Sequence, residues 1–186
     1  RSQRTVRDLL IKIRGAIKYA YARGYIPNDF TGLLKAKGEI LPNRNRVLSI
    51  AEYKKLTNYL LENSAEEFNV LLYVTLGTGL RRGEVLGLRP EHVYPSHIRV
   101  LESISPTSDD TDLKTESSYR DVAINKTMYD LLTSVPVKPS GYIFKHRFSL
   151  SQDLQSLLNK LGIEKTTIQG LRRTHASIAF AHSKDD

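Results

Sequence analysis

A glycine-punctuated junction, Thr75-Leu-Gly-Thr-Gly-Leu-Arg-Arg-Gly-Glu-Val-Leu-Gly-Leu88, constrains this chain more than any other stretch. The apolar run Val70 to Leu76 that leads into it predicts a buried helix. Gly77 and Gly79 bracket Thr78, and helices stop at such places because glycine accepts the left-handed conformation. Arg81 then opens a second helical pattern, predicted over 81–88, that carries Glu84, Val85 and Leu88. A cation at a helix N-terminus opposes the macrodipole. An anion beside it, sharing free backbone N–H groups, would remove that conflict. Glu84, three residues on and on the same face, is placed to hold the guanidinium. A plain surface ion pair accounts for the same residues.

The remaining elements read as follows. Val6, Leu9, Leu10, Ile13, Ile17, Ala20 and Tyr21 recur at helical spacing, predicting a helix over 4–23 that Gly24 and Pro27 stop. Its other face carries Arg7, Lys12, Arg14, Lys18 and Arg23, either a solvated face or one that tracks phosphates. Residues 35–47 lack a helical period and hold four basic residues, Arg44 and Arg46 among them, which predicts a basic linker. Ser49-Ile-Ala-Glu52 is a capping box for a helix bearing Ile50, Tyr53, Leu56, Leu60 and Leu61. A helix is predicted over 65–76, ahead of the one at 81–88. Ile98–Ile104 and Tyr119–Ile124 alternate as strands around a polar connection. Asn125 caps a short helix that Pro136 closes. Ser149 to Gln152 is a second capping box, followed by Leu154, Leu157, Leu158 and Leu161 and stopped by Gly162. A last helix starts at Thr166 or Thr167 and carries Leu171, His175, Ile178 and His182 on one face. The fold class is mainly α with a small antiparallel β-sheet (α+β).

Lys and Arg number 28 against 20 Asp and Glu, a net charge of +8, which favours a polyanionic partner, nucleic acid before membrane. With no cysteine, disulfides and thiolate metal sites are excluded. No apolar run reaches the roughly 20 residues of a membrane span. Both ends of the chain look cut.

Three cations sit in strong local structure: Arg81; Lys114 in Leu113-Lys-Thr-Glu-Ser-Ser-Tyr-Arg120; and Arg172 in Thr167-Ile-Gln-Gly-Leu-Arg-Arg-Thr-His-Ala-Ser177. Taken singly, Lys114 at a hairpin tip is a solubility device. In order along the chain, the three motifs resemble the catalytic domain of tyrosine recombinases, the integrases of phages and conjugative transposons. The resemblance spans roughly residues 46–186, and residues 1–34 look like the last helix of that family's core-binding domain. It implies three regions: 1–34 of the core-binding domain, a basic linker at 35–47, and a catalytic domain from 48 to 186, incomplete at its C-terminus.

The resemblance also implies site-specific recombination through a 3′-phosphotyrosine. Arg81 and Arg172 would grip the scissile phosphate, Lys114 would protonate the leaving 5′ oxygen, and Glu84 and His175 would support them. Gln169 stands where the family has a histidine. It can donate a hydrogen bond but cannot exchange a proton, and with Thr166 it also completes a capping box. The nucleophilic tyrosine is expected beyond Asp186, so this piece is expected to bind DNA without cleaving it. Lys12, Lys18, Arg44, Arg46, Arg82, Arg120 and Arg173 are the candidate DNA contacts. The partner is double-stranded DNA at attachment sites, with a tetramer expected for the full-length protein and a monomer for this piece. The resemblance implies no cofactor or metal and a cytoplasmic, nucleoid-associated place in a bacterium. A non-catalytic DNA-binding protein of the same fold is the alternative. A generic basic module needs no such ordered Arg–Lys–Arg set.

Overall fold

The computed structural model describes residues 3–35, 46–104, 119–145 and 149–182. The chain divides into two compact units, Arg1–Asn43 and Arg44–Asp186. In the first, helix α1 (Gln3–Ala22) turns at Gly24, which has φ 72°, and a short 3-10 turn follows at Thr31–Leu33. The Arg14 guanidinium donates to the Leu34 carbonyl and ties that turn back to the helix. Leu9, Ile11, Ile13, Tyr19, Tyr21 and Leu33 are exposed.

The second unit is built around α3 (Glu67–Thr78), between α2 (Ile50–Glu62) on one side and α7 (Ile168–His182) on another. Val70, Leu71, Leu72, Val74 and Leu76 are all buried, so α3 is apolar around its circumference, the pattern of a helix enclosed by neighbours. Each such Leu or Val stabilises the fold by about 1.5–3 kcal/mol relative to exposure. The short α4 (Arg82–Leu86) leads through a turn at Pro90–His92 to β1 (His97–Val100). That strand pairs antiparallel with β2 (Arg120–Ala123), Ile98 opposite Val122. Helices α5 (Lys126–Ser134) and α6 (Leu150–Lys160) complete the unit, closing the core with Met128, Leu132, Leu150, Leu154 and Leu158. The expected class, mainly α with a small antiparallel sheet, is the one observed, the sheet having two strands among the described residues.

Caps match expectation at two places and miss at two. The Ser49 hydroxyl accepts the Glu52 N–H and the Glu52 carboxylate accepts the Ser49 N–H, the full reciprocal box. Asn125 caps α5 by accepting the Met128 N–H at 2.9 Å. Ser149 makes no cap: its backbone lies at φ −89°, ψ 5° instead of the extended region, and its hydroxyl donates to Asp153. The box expected at Thr166 is likewise displaced. The Thr166 hydroxyl donates to the Arg46 carbonyl, and Thr167 caps α7 by accepting the Gly170 N–H at 3.0 Å.

The strand expected over 98–104 ends at Val100 because the chain beyond it leans on α4. Ile104 donates its N–H to the Gly83 carbonyl at 3.0 Å. A side chain at Gly83 would meet Ser103 and Ile104, and one at Gly87 the Glu102 carbonyl. The polar connection at 105–118 and the segment 36–45 lie outside the described residues.

Candidate phosphate and nucleic-acid site

Arg81 owes its place to the end of α3. Gly79, with φ 64°, is the left-handed cap that ends the helix and returns its N–H to the Thr75 carbonyl. Leu80, fully buried, anchors the turn, and the Thr78 hydroxyl donates to the Val74 carbonyl. Arg81 follows as the residue preceding α4, its side chain 56% exposed. Arg172 stands in the second turn of α7, next to the fully buried Leu171. Thr174, also fully buried, accepts the Leu48 N–H and donates to the Gly170 carbonyl, fixing α7 to the start of α2.

The two arginines meet at Glu84, a carboxylate only 1% exposed. Its Oε1 accepts Arg81 Nη1 at 2.7 Å and Arg120 Nη1 at 3.2 Å. Its Oε2 accepts the Arg81 backbone N–H at 2.7 Å and Arg120 Nη2 at 2.9 Å. Two carboxylate oxygens offer about four lone-pair sites, and four donors fill them. Arg172 Nη1 remains 3.8 Å from Oε2, beyond hydrogen-bond distance, and is buried with no hydrogen-bond partner among the described residues. The backbone N–H of Arg81, expected to be shared with an outside anion, is therefore taken by the protein's own Glu84.

Three guanidiniums thus share one negative charge. Burial works against ionisation of Glu84, but the hydrogen bonds from Arg120, the Arg81 N–H and the Arg81 side chain outweigh it and hold its pKa at about 2. The pKa of Arg172 also lies below its ordinary value, which for a guanidinium works against the charged form. Burial is the main cause, and Arg81 and Arg120 add to it against the pull of Glu84. A cation crowded by cations, partly desolvated and holding an unpaired donor, is the environment that an oxyanion relieves. Within reach of Arg172, the half-buried His175 hydrogen-bonds to the backbone of Leu76 and packs against Gly79. Burial lowers its pKa, and nearby Arg172 adds to the effect.

The other candidates are distributed as follows. Gln169 and Arg173 are exposed on α7, Arg82 is partly buried on α4, and Lys12 and Lys18 are exposed on α1 in the first unit. Arg46 makes a two-nitrogen pair with Glu52, at 2.9 and 2.8 Å, and also donates to the Glu164 carbonyl. Lys114 and Arg44 lie outside the described residues. Among the described residues, no cluster of three His, Asp or Glu side chains could hold a metal ion, and no helix is long and apolar enough to cross a membrane.

Arg120, a candidate DNA contact, places both terminal nitrogens on Glu84. The sequence did hold a signal. Arg120 and Val122 share one phase of β2, which Ile124 just beyond the strand continues, so this arginine lies in register with inward-facing apolar residues, while Asp121 and Ala123 are exposed.

The architecture is the catalytic-domain fold of tyrosine recombinases. The Tn1549 transposon integrase in complex with circular intermediate DNA matches with a TM-score of 0.74 at 17% identity, over 97% of this chain and 67% of that one. XerA recombinase matches at 0.58 and 21% identity, over 91% and 60% of the two chains. A lambda integrase dimer bound to a core site matches at 0.57 and 13%, over 95% and 56%. In sequence, the chain is 28% identical over 116 residues to the shufflon-specific DNA recombinase of Escherichia coli. That match takes in 62% of this chain and 28% of the recombinase. No protein-family model matches the chain.

Proposed function

We propose that this chain is the DNA-binding and catalytic part of a site-specific recombinase that integrates or excises a mobile element. The observation that carries the reading is the saturated Glu84 carboxylate, which leaves the buried Arg172 Nη1 without an acceptor among the described residues beside Arg81. The fold and the recombinase relative support it. The partner is double-stranded DNA at attachment sites, and the full-length protein acts on it as a tetramer.

In the proposed reaction, a tyrosine hydroxyl releases its proton to solvent and its oxygen attacks the scissile phosphorus in line. The phosphorus–O5′ bond breaks, and the 3′ end is left as a phosphotyrosine whose bond energy is kept for rejoining. Extra negative charge gathers on the non-bridging oxygens in the transition state. Arg81 and Arg172, bidentate and always charged, hold it without a metal ion. Lys114 gives its proton to the departing 5′ oxygen. Gln169 donates a hydrogen bond to the phosphate without exchanging a proton.

The test is strand cleavage by the full-length protein on a nicked suicide substrate. Arg81→Ala and Arg172→Ala should each lose on the order of a hundredfold or more in cleavage. DNA affinity should change far less, because both residues act on charge that develops only in the transition state. Equal losses from Arg82→Ala and Arg173→Ala would overturn the assignment.

A further inference from the structure

We propose that Arg120 is a positioning residue that occupies half of the Glu84 carboxylate and so keeps Arg172 off it and available to the phosphate. The inference rests on the functional reading above and adds a part that the phosphate chemistry alone does not require. Arg120 spends both terminal nitrogens on Glu84, one on each oxygen, at 3.2 and 2.9 Å. Arg81 fills the remaining positions with its Nη1 and its backbone N–H. A planar fork meets the two carboxylate oxygens with two parallel N–H bonds, an alignment that the single nitrogen of a lysine does not reproduce.

The groups facing Glu84 come from three elements: Arg81 ahead of α4, Arg120 on β2 and Arg172 on α7. Arg172 Nη1, at 3.8 Å from Oε2, is less than an ångström outside hydrogen-bond range. Without Arg120, each oxygen of Glu84 loses a donor, and among the described residues Arg172 Nη1 stands beside it without a partner. A short shift would pair the two, and the cation meant for the substrate would be neutralised internally. Arg120 thus acts through Arg172 and not on the phosphate itself.

The test uses the chain as it stands, with inorganic phosphate as probe and the Arg172 guanidinium followed by NMR. Arg120→Ala should move the Arg172 Nε–H resonance before any phosphate is added. It should also weaken phosphate binding about tenfold, the scale of one charged hydrogen bond. In an Arg172→Ala background the same substitution should cost nothing further, because its effect runs through Arg172. Arg120→Lys should fall between wild type and alanine in both readouts, and it serves in place of alanine if that variant fails to fold. Additive losses from Arg120 and Arg172 would overturn the proposal by making Arg120 a direct ligand. An Arg172 resonance that does not move would overturn it too. Failure of the wild-type chain to bind phosphate would count against the recombinase reading, while the resonance still decides the role of Arg120.

Discussion

Gly79 and His175 share one space: a Cβ added at Gly79 would lie 2.6 Å from His175 Cδ2. Gly79 also has φ 64°, where a side chain is strained. Two penalties therefore fall on Gly79→Ala, backbone strain and collision. At Gly162 φ is 61° but nothing lies within 4 Å, so Gly162→Ala meets strain alone. We expect a loss of about 1 kcal/mol at Gly162 and about 2–4 kcal/mol at Gly79. In a His175→Ala background the two losses should become similar. Chemical denaturation measures all three, and an unchanged Gly79→Ala cost in that background would remove the collision.

Acid titration should report the Glu84 cluster. The pKa of Glu84 is held at about 2 against an ordinary 4.5, and that of Glu52 is also held at about 2, chiefly by its hydrogen bond from Arg46. A depressed carboxylate contributes stability that is fully present above its unfolded pKa and is lost as pH falls through its folded one. Stability should therefore fall between pH 4.5 and about 2. Glu84→Gln should lessen the fall without abolishing it, since Glu52 keeps its share. At pH 7 the variant should be less stable by on the order of 3 kcal/mol, three guanidiniums having lost the carboxylate they share. Melting curves across pH check both limbs, and an acid limb as steep as wild type would contradict the assignment.

Arg46 should register in stability. It pairs with Glu52 at 2.8 Å and donates to the Glu164 carbonyl at 2.9 Å, so one side chain joins the approach to α2 to the loop before α7. Arg46→Ala should destabilise the fold by about 1–3 kcal/mol. A double-mutant cycle with Glu52→Ala should return a positive coupling energy. Zero coupling would show that the pair contributes nothing in solution.

What the sequence disclosed and what it hid divide along the distance between partners. The end of α3 at Gly79, the caps at Ser49 and Asn125, and the pairing of Arg81 with Glu84 all rest on residues within four positions of each other. Strand phase marks Arg120 as inward-facing, but its partner Glu84, 36 positions away, and the reach of Arg46 across 118 positions to Glu164 have no local signature. Gly83 and Gly87 were legible as glycines, but not as the flat face on which Glu102 to Ile104 lies. The failed box at Ser149 has a different cause. The spacing was correct, yet Asp153, one turn in, drew the hydroxyl as a donor. Local chemistry thus announced the cations, and tertiary structure chose which of them would be neutralised.

The last prediction separates proton donation from charge stabilisation. If Lys114 protonates the leaving 5′ oxygen, Lys114→Ala slows cleavage because an alkoxide must depart unassisted. A substrate with sulfur at the 5′-bridging position departs as a thiolate and needs no proton. On that substrate Lys114→Ala should cleave nearly as fast as wild type. Arg81→Ala and Arg172→Ala should stay slow, on the order of a hundredfold below wild type, because charge on the non-bridging oxygens still needs its guanidiniums. Cleavage rates of the full-length protein and the three variants on both substrates decide the matter. Equal rescue of all three would mean that the arginines and the lysine do the same work, and the division of roles proposed for them would fail.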